Sequence, residues 1–345
     1  MRAIRFHAHG GPEVLRYEEA PDPQPQAGQV LIHVAACALN HLDLWQRRGL
    51  DRVQLPMPHI SGADVSGTIG ALGESVTGLT VGQRVMLQPG LSCGRCARCL
   101  SGQDFLCASY DVLGYQSNGG YAEQVVVPAA NVIPIPEHID FVSAAAFPLT
   151  FLTAWHMLHA GGHLTSADTV LVVAAGSGVG QAAVQIAKAA RARVIATARG
   201  AEKCARASTL GADHAIDSSA EDVPKKVKAI TGGRGVDIVV EHVGVATWQS
   251  SVRSLRTGGR LVTCGATTGY EAALDLRHLF ARQLTFVGSY MGAKSDLLAA
   301  ADGFFRGWFA PVIDTTFPLA DARAAHDRLE SGAQFGKIVL TVDAR

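Results

Sequence analysis

The sequence has no excess charge of either sign and no long apolar run. Lysine plus arginine and aspartate plus glutamate both total 30, and neither sign forms a long block. A surface for nucleic acid or an anionic membrane is therefore not expected. No apolar run approaches the roughly 20 residues of a membrane span, and the amino terminus has no apolar core of signal-peptide length. We predict a soluble, cytoplasmic protein with no nucleic-acid or membrane partner.

The chain also lacks internal repeats, low-complexity tracts and an obvious linker. Its 345 residues exceed the range over which a single core usually keeps growing, so two domains are expected. With 48% hydrophobic residues it can bury sizeable cores.

Short strand-like segments separated by Gly and Pro dominate the chain up to about residue 130. Examples are GQVLIHVAACAL, DVSGTIGALG, GQRVMLQPG and YAEQVVVPAANVIPIP. Segments of this kind, with turn residues between them, are typical of a compact, mostly β domain.

From residue 169 onward, β-branched segments alternate with alanine-rich segments of helical length. TVLVVAA precedes VGQAAVQIAKAARA and RVIATAR precedes GAEKCARASTLGA, and the series continues through HAID and VDIVVEHVG to RLVTCGA. In the first helix Gly180, Ala183, Val184 and Ala187 fall at i, i+3, i+4 and i+7, which gives one packing stripe. This alternation predicts a doubly wound parallel sheet.

The last part of the chain breaks the alternation. It contains QLTFVGSY, the helix-like SDLLAAADGFFRGWF and a final GKIVLTVD. We expect this tail and the β-rich amino-terminal part to form one domain wrapped around the other.

A glycine-rich turn separates the first strand of the sheet from its helix. VVAAGSGVGQAAV places Gly176, Gly178 and Gly180 at the spacing G-x-G-x-G rather than G-x-G-x-x-G. Alone this is a weak signal, because glycine also makes tight turns. Its position at the first crossover favours a dinucleotide site, where backbone amides and the helix dipole hold a pyrophosphate. We expect Ser177, Gly178 and Val179 to approach that pyrophosphate.

The end of the second strand, VIATARGAEK, discriminates between cofactors. An NAD site usually places Asp or Glu there to bind the ribose 2′-hydroxyl, whereas an NADP site lacks the acid and offers cations to the 2′-phosphate. Ala198 occupies the expected acid position, and Arg199 and Lys203 follow it. The alternative is that both cations are solvated surface groups. The missing acid predicts NADP(H).

Four of the seven cysteines are closely spaced, as C-x2-C-x2-C-x7-C: Cys93, Cys96, Cys99 and Cys107. Persistent disulfides are not expected in a reducing cytosol. Four thiols at this spacing can converge tetrahedrally on Zn²⁺, and the neighbouring Arg95 and Arg98 would favour thiolates. Four thiolates leave no place for water, so the pattern predicts one structural Zn²⁺ rather than a reaction centre. An iron–sulfur cluster and four free cysteines are the alternatives.

With these motifs the chain resembles the medium-chain dehydrogenase/reductase superfamily, which includes zinc alcohol dehydrogenases and quinone oxidoreductases. The resemblance runs from GPEVLRYEEAPDPQPQAGQVLIHVAACALNHLDL through GGYAEQVVVPAANVIPIP and AAAFPLTFLTAW to the closing FGKIVL. It implies an α/β fold with a GroES-like β-rich catalytic domain at residues 1–130 and 290–345, in which residues 90–110 form the zinc lobe. It implies a Rossmann NADP-binding domain at residues 131–289, and a homodimer.

Zinc alcohol dehydrogenases of this superfamily also carry a catalytic zinc, with ligands in a C-H-T-D segment, a G-H-E segment and a later Cys or Asp. Here the first segment reads N-H-L-D, the second reads G-A-D, and the third position falls near Leu149. Asn40, Ala63 and Leu149 cannot replace thiolate or imidazole ligands with useful affinity. We therefore expect no catalytic zinc; the alternative is a rearranged site that uses His41, His59 or Asp64.

The pattern N-x-x-D followed by R-x-G is instead similar to zinc-independent quinone oxidoreductases. Those enzymes use NADPH to reduce quinones or the C=C bond of α,β-unsaturated carbonyls. The resemblance implies a small-molecule carbonyl or quinone substrate, whose conjugated oxygen accepts charge as the hydride arrives. Two other functions stay open: a zinc-type alcohol dehydrogenase with an irregular catalytic site, and a non-catalytic nucleotide-binding protein on the same scaffold.

The resemblance implies roles for several catalytic-domain residues. Asn40 is suited to hydrogen-bonding the nicotinamide ribose or the substrate oxygen. Asp43 and Arg47 are expected to form a supporting ion pair, with a direct role or a purely structural one. Quinone reductases often have Tyr where Trp45 stands, so Tyr115 or solvent would supply the proton.

Further residues are expected near the cofactor. Thr153 is expected on the nicotinamide side. Cys264 and Gly265 follow the fifth strand, and ligands bind beyond the carboxyl ends of such strands. Lys337 matches a common family position near the cofactor, and an exposed lysine before the last strand is the alternative.

Overall fold

The structure, a computed structural model, describes residues 1–50 and 53–342. The strands are β1 (Arg2–Arg5), β2 (Arg16–Glu19), β3 (Gln29–Ala38), β4 (Asp64–Leu72), β5 (Arg84–Leu87), β6 (Gly90–Leu91), β7 (Asp111–Val112), β8 (Gln124–Pro128), β9 (Val132–Pro134), β10 (Thr169–Val172), β11 (Arg193–Ala198), β12 (His214–Asp217), β13 (Val236–Glu241), β14 (Leu255–Thr263), β15 (Thr285–Gly288), β16 (Ile313–Pro318) and β17 (Lys337–Thr341). The α-helices are α1 (His41–Arg48), α2 (Ala97–Leu100), α3 (Phe141–Ala146), α4 (Pro148–His156), α5 (Gly178–Ala189), α6 (Ala201–Thr209), α7 (Val223–Ile230), α8 (Val245–Ser254), α9 (Leu276–Ala281), α10 (Lys294–Phe305) and α11 (Ala322–Glu330).

The chain divides into two compact units. The first contains residues 1–149, 293–297 and the segment from Ala310 onward, and the second contains residues 150–292 and 298–309. The sequence-based division after residue 130 lies earlier than this one. Residues 131–149 belong to the first unit because β9 pairs with β5 and α3 packs on β3 and β4. The last three residues of the predicted segment 290–345 lie outside the described residues.

A seven-stranded sheet forms the centre of the first unit. Its order is β16-β17-β3-β4-β5-β9, and β8 pairs with β3. Along most of β3, more buried residues alternate with more exposed ones, because a strand turns successive side chains to opposite faces. The final strand β17 pairs antiparallel with β3, so the two ends of the chain share one sheet.

The second unit is built on six parallel strands in the order β12-β11-β10-β13-β14-β15. This order confirms the predicted doubly wound parallel sheet. In α5 the predicted stripe is buried, with Ala183, Val184 and Ala187 fully inaccessible.

The sixth strand of this sheet was not predicted as part of it. QLTFVGSY was expected to break the strand and helix alternation, although nearly all of it lies within the predicted Rossmann range of residues 131–289. Its β15 instead continues the sheet and pairs in parallel with β14. The preceding helix α9 has only six residues and follows a polar loop, so the alternation is weak at this point of the sequence.

The turn between β10 and α5 requires a glycine at position 180. A Cβ atom there would lie 2.3 Å from the carbonyl oxygen of Ala174. Ser177 caps α5, with its Oγ accepting a hydrogen bond from the Gly180 N–H at 2.8 Å. The helix therefore starts close against the end of β10.

Among the described residues, no helix combines the length and the apolar character that a bilayer-spanning segment requires.

Candidate functional site

A buried polar cluster lies where β4, β17 and the start of α1 meet. Asp64 is fully buried, and its Oδ2 accepts hydrogen bonds from Asn40 Nδ2 and Lys337 Nζ, both at 2.9 Å. Its Oδ1 accepts from the backbone N–H of Leu149 at 2.7 Å. Lys337 Nζ also donates to Asn40 Oδ1 at 2.7 Å. The fold thus brings together Asn40 and Lys337, two predicted site residues that lie far apart in the sequence.

These contacts lie at the three positions where catalytic-zinc ligands were sought. Two of those positions take part directly, and at the other one the neighbouring residue does. Asn40 occupies the first position, Asp64 follows Ala63 at the second, and Leu149 is near the third. An ammonium group, rather than a set of soft ligands, is therefore held beside these positions. Lys337 is only 2% exposed, which excludes the alternative of a solvated surface lysine.

Asp43 lies beside this cluster and is also buried. One carboxylate oxygen, Oδ2, accepts hydrogen bonds from the Asn40 backbone N–H at 2.7 Å and the Tyr121 hydroxyl at 2.8 Å. Burial raises the pKa of Asp43 to about 6, although both hydrogen bonds and the Lys337 charge oppose this rise. Burial, together with the Asp43 charge, raises the pKa of Tyr121. The contact of Tyr121 with Asp43 was not predicted, because the two residues lie 78 positions apart in the sequence.

The predicted ion pair between Asp43 and Arg47 is wrong. Arg47 is 1% exposed and pairs instead with Glu330, and its Nη1 lies 3.1 Å from Nδ1 of His326. Burial and the Arg47 charge lower the pKa of His326 to about 3, so its neutral ring accepts this hydrogen bond. The i, i+4 spacing of Asp43 and Arg47 on α1 would permit an ion pair. Asp43 instead binds the Asn40 N–H and the Tyr121 hydroxyl, and Arg47 pairs with Glu330 at the end of α11.

His41, His59 and Asp64 do not form the alternative metal site. His41 is exposed, and Nε2 of the buried His59 bonds to the Gly114 carbonyl oxygen at 3.0 Å. Burial lowers the pKa of His59. Within residues 1–50 and 53–342, the cysteine cluster is the one group of three or more His, Cys, Asp or Glu ligand atoms close enough to hold a metal.

The four predicted cysteines converge. All four Sγ atoms lie within 4.8 Å of one another, with Cys96 and Cys99 3.5 Å apart and Cys93 and Cys99 3.9 Å apart. Four sulfurs bound to one Zn²⁺ at about 2.3 Å in a tetrahedron would lie roughly 3.8 Å apart. This donor set fits Zn²⁺ and leaves no open coordination position.

Backbone amides, rather than the two arginine side chains, favour the thiolate. Backbone hydrogen bonds from Arg95 and Cys96 lower the pKa of Cys93 to about 6. The Arg98 guanidinium donates to Gln103 Oε1 at 2.5 Å instead. Desolvation raises the pKa of Cys99 to about 11, which a bound cation would reverse.

In the second unit, the predicted pyrophosphate residues lie at the amino terminus of α5. Gly178 and Val179 are its first two residues, and their N–H groups have no acceptor within the helix. An anion at this end would meet two free amides and the positive end of the helix dipole. The loop thus fits the phosphate group of a dinucleotide.

The predicted 2′-phosphate residues lie at the end of β11. Arg199 is exposed and makes no ion pair or hydrogen bond with another described side chain, while Lys203 lies on α6. Asp217 on β12 is directly beside Ala198 in the sheet. Its Oδ1 accepts from the Ser219 hydroxyl at 2.5 Å and from the N–H groups of Gly200 and Ser219, both at 2.9 Å, and these hydrogen bonds lower the pKa of Asp217. The sequence did not indicate this neighbouring acid.

A cavity of about 290 Å³ opens beside these strand ends. Its walls come from the ends of β10 to β12, the start of α7 and the exposed turns of α8, and include Thr197, Ser218, Pro224, Ala246 and Arg253. The lining combines apolar side chains and hydroxyls with Arg253 and the acidic residues Glu221 and Asp222. A concave surface with a few polar groups of this kind suits a small polar ligand.

The remaining predicted cofactor residues are also in the second unit. Thr153 lies in α4, and its buried Oγ1 makes no hydrogen bond within the described chain. Cys264 and Gly265 directly follow β14, where desolvation raises the pKa of Cys264 to about 12. A Cβ atom at Gly265 would lie 3.0 Å from the His242 carbonyl oxygen, so β13 and β14 end close together. An unpartnered buried hydroxyl such as that of Thr153 is a natural contact for a bound ligand.

Comparison with known proteins agrees with this architecture. Residues 26–137 match the alcohol dehydrogenase GroES-like domain, and residues 178–305 match the zinc-binding dehydrogenase domain. A quinone oxidoreductase of Rattus norvegicus is 30% identical over 99% of this chain and 97% of that protein. An alcohol dehydrogenase of Geobacillus stearothermophilus is 32% identical over 95% of this chain and 96% of that one.

A solved structure is more similar still. The crystal structure of an NAD-dependent alcohol dehydrogenase superposes with a TM-score of 0.97 at 46% identity, covering 99% of this chain and all of that one. The chain therefore belongs to the medium-chain dehydrogenase/reductase superfamily and is an oxidoreductase. The expected GroES-like and Rossmann parts are confirmed.

The cysteine cluster generates a test of metal content. We expect purified protein, prepared without added zinc, to carry about one zinc per chain, because four thiolates form one closed site. Cys93→Ser should lose most of this zinc and unfold at a lower temperature. Cys204→Ser, at a cysteine outside the cluster, should retain it. Elemental analysis and thermal denaturation measure both quantities, and a Cys93→Ser protein with unchanged zinc would contradict the assignment.

The buried Asp43 carboxyl generates a test of pH dependence. Its pKa of about 6 in the folded protein lies above the ordinary aspartate value of 3.8, so the folded state binds the proton more tightly. Its contribution to the free energy of unfolding is therefore highest at low pH and falls as the pH rises from about 4 to 6, by about 3 kcal/mol in all. Asp43→Asn should remove this fall relative to wild type in urea denaturation, and Asp302→Asn, at an exposed carboxylate, is the control. Parallel stability curves for wild type and Asp43→Asn would count against the pKa shift.

Proposed function

We propose that this oxidoreductase uses NADPH to transfer a hydride to quinones or to the C=C bond of α,β-unsaturated carbonyls, with no zinc at the reaction centre. One observation carries the proposal: the family's three catalytic-zinc positions hold Asn40, Ala63 and Leu149, and the Lys337 ammonium bridges Asn40 and Asp64 beside them. The nearby Cys37 is fully buried, and desolvation together with the charges of Asp43 and Asp64 raises its pKa, so it offers a thiol and not a thiolate to a soft or borderline metal ion. Among the described residues, no group of three or more metal-ligand side chains lies there. The single zinc that we propose is structural and is held by the four cysteines.

The missing ligands bear on the choice of substrate. A simple alcohol or ketone needs a strong electrophile on its oxygen during hydride transfer. In an enone or quinone, conjugation already spreads the developing charge onto the oxygen, so neutral hydrogen-bond donors suffice. The bound nicotinamide supplies the hydride.

The hydrogen bonds of Asn40 support a direct role of its amide on an oxygen atom. Its Nδ2 donates one proton to Asp64, and its Oδ1 accepts from Lys337, which fixes the orientation of the amide. One N–H of the amide stays available for the substrate oxygen or a ribose hydroxyl. Lys337 uses two of its three ammonium protons on Asn40 and Asp64, so it retains one donor for a ligand. We assign Asn40 a direct role and treat Asp43 and Arg47 as structural support.

The final proton comes from Tyr115 or from solvent. Burial and the Asp111 charge raise the pKa of Tyr115, so its hydroxyl stays protonated at neutral pH and can donate. Trp45 has no exchangeable hydroxyl and cannot replace it.

The NADPH preference rests on the end of β11. The missing acid at Ala198 and the unpaired, exposed Arg199 favour a 2′-phosphate. A competing observation favours NAD: Asp217 lies beside Ala198 on β12, and a carboxylate repels a phosphate. In the folded chain its Oδ1 is engaged by Gly200 and Ser219, which reduces its availability to a ribose hydroxyl. The solved structure that is 46% identical is named an NAD-dependent alcohol dehydrogenase, so the choice between NAD and NADP is the first point to test about the cofactor.

The oligomeric state that we propose is a homodimer. β15 is the last strand of its sheet, so one side of it has no partner strand among the described residues. Tyr270, Leu276 and Phe280, which precede it in the chain, are all exposed. An open edge beside exposed apolar side chains fits association with a second copy of the chain.

The reaction is tested with a substrate panel. We expect NADPH-dependent reduction of quinones or enones and little oxidation of simple alcohols. Asn40→Ala should lower kcat/KM by about 10-fold or more, because a hydrogen bond to developing charge is lost. Asn131→Ala is the matched control, since Asn131 is equally buried and also makes two buried hydrogen bonds, but with Gln88 and Gly90.

Three outcomes would contradict the proposed reaction. Alcohol oxidation with two zinc ions per chain would establish a zinc-type alcohol dehydrogenase with an irregular site. Tight dinucleotide binding without turnover on any quinone or enone would favour a non-catalytic nucleotide-binding protein. Equal losses of activity in Asn40→Ala and Asn131→Ala would remove the direct role of Asn40.

Cofactor choice is tested at Arg199. Arg199→Ala should raise KM for NADPH by about 10-fold and leave KM for NADH nearly unchanged, because only NADPH carries the 2′-phosphate. Arg191→Ala removes the same charge just before the other end of β11 and should change neither value. An unchanged NADPH preference in Arg199→Ala, or a wild-type preference for NADH, would overturn the NADP assignment.

A further inference from the structure

His242 lies directly after β13, beside the glycine-rich loop, and sequence analysis did not single it out. Its side chain is nine-tenths buried. Nε2 lies 2.9 Å from the Val173 carbonyl oxygen and 3.2 Å from Ser177 Oγ. The ring therefore connects the end of β13 to the residue that caps α5.

These two contacts fix the tautomer of His242. A carbonyl oxygen only accepts hydrogen bonds, so Nε2 must carry the proton that points at Val173. In the neutral ring Nδ1 is then an acceptor. Both side-chain contacts of the ring to other residues are made by Nε2, and no other described residue donates a hydrogen bond to Nδ1. The backbone carbonyl of His242 itself also lies close enough to the ring to oppose the fall in its pKa. Burial lowers the pKa of His242, which keeps the ring neutral, although the Glu241 charge opposes this shift.

The same contacts determine what Ser177 can do. Its Oγ accepts from the Gly180 N–H at 2.8 Å. It is also the second, more distant acceptor of the single His242 Nε2–H, which is shared between the Val173 carbonyl oxygen at 2.9 Å and Ser177 Oγ at 3.2 Å. With both acceptor positions engaged, the hydroxyl proton of Ser177 is left to be donated outward. At the amino terminus of α5, a phosphate oxygen is the natural acceptor for it.

The position of His242 indicates which half of a bound dinucleotide it would contact. The strand order reverses between β10 and β13. A dinucleotide bound by the general rule for such sheets would place its pyrophosphate there, its adenosine over β11 and β12, and its nicotinamide half over β13 and β14. His242 follows β13, and Gly265, which follows β14, approaches its carbonyl oxygen closely. A lone pair here suits a hydroxyl group and would repel a phosphate oxygen.

We propose that Nδ1 of His242 accepts a hydrogen bond from a hydroxyl of the nicotinamide-side ribose, while its Nε2–H orients Ser177 to donate to the pyrophosphate. This assignment rests on the proposed function, because it requires a nicotinamide dinucleotide along this edge. His242 is thus a binding residue that reads the ribose and positions Ser177.

The test compares two ligands on the full-length protein. His242→Gln keeps an N–H that can reach Val173 and Ser177 but removes the Nδ1 acceptor. It should weaken binding of the preferred dinucleotide by about three- to ten-fold, the effect of one hydrogen bond. Binding of the matching fragment without nicotinamide riboside should be unchanged; this fragment is adenosine 2′,5′-bisphosphate for NADPH and AMP for NADH. Ser177→Ala should weaken binding of both ligands, because both carry the 5′-phosphate.

A second measurement does not depend on a folded variant. Wild-type protein should bind dinucleotide analogues that lack the 2′- or the 3′-hydroxyl of the nicotinamide ribose, and one analogue should be weaker by the same three- to ten-fold. Equal affinity for both analogues and the parent dinucleotide, or equal weakening of dinucleotide and fragment in His242→Gln, would overturn the assignment and leave the proposed function intact. Failure of wild-type protein to bind either dinucleotide would overturn both.

Discussion

The buried ion pair between Asp64 and Lys337 constrains the first unit more than any other interaction. Neither side chain is in contact with bulk water, and separating the charges would leave one of them without compensation. Breaking such a pair typically costs about 3–5 kcal/mol. The backbone of Leu149 and the side chain of Asn40 complete the coordination of the Asp64 carboxylate. The fold must therefore hold β4, β17, the start of α1 and the first turn of α4 at one point.

This constraint bears on chemistry as well as on stability. In the superfamily, enzymes with different names share one scaffold, and the relatives of this chain include a quinone oxidoreductase and alcohol dehydrogenases. We propose that these enzymes differ in the groups that surround the reacting oxygen. Here an amide and an ammonium, both already hydrogen-bonded, stand beside positions that soft ligands would need to occupy. Such groups can donate hydrogen bonds to developing charge but do not assemble a zinc site.

A different buried carboxylate organises the second unit. Glu241 ends β13 and accepts hydrogen bonds from the N–H groups of Val243 and Gly244 and from the hydroxyls of Thr247 and Ser251. A carboxylate with this many donors needs no cation nearby. It holds the turn between β13 and α8, and with it the backbone that carries His242. The hydrogen bonds of Glu241 therefore hold the end of β13 in place. The glycine-rich loop is held separately, by the Ser177 cap on α5.

The sequence by itself determined the features that repeat locally. The strand and helix alternation indicated the parallel sheet, the stripe in α5 marked its buried face, and the cysteine spacing brought the four thiols to one place. These patterns depend on periodicity and on short loops, so each can be recognised within a few tens of residues of sequence. The resemblance also named Asn40 and Lys337 as candidate site residues. It could not show that they bind each other through Asp64.

Only the tertiary structure decided which charged and polar side chains are partners. Arg47 pairs with Glu330 on α11 instead of Asp43 on its own helix, and Tyr121 reaches Asp43 from a distant segment. The contacts of His242 with Val173 and Ser177, which belong to neighbouring elements, are visible only in the folded chain. The physical reason is the same in each case. A buried polar group takes the nearest partner in space, and sheet topology brings together residues that have no relation along the chain.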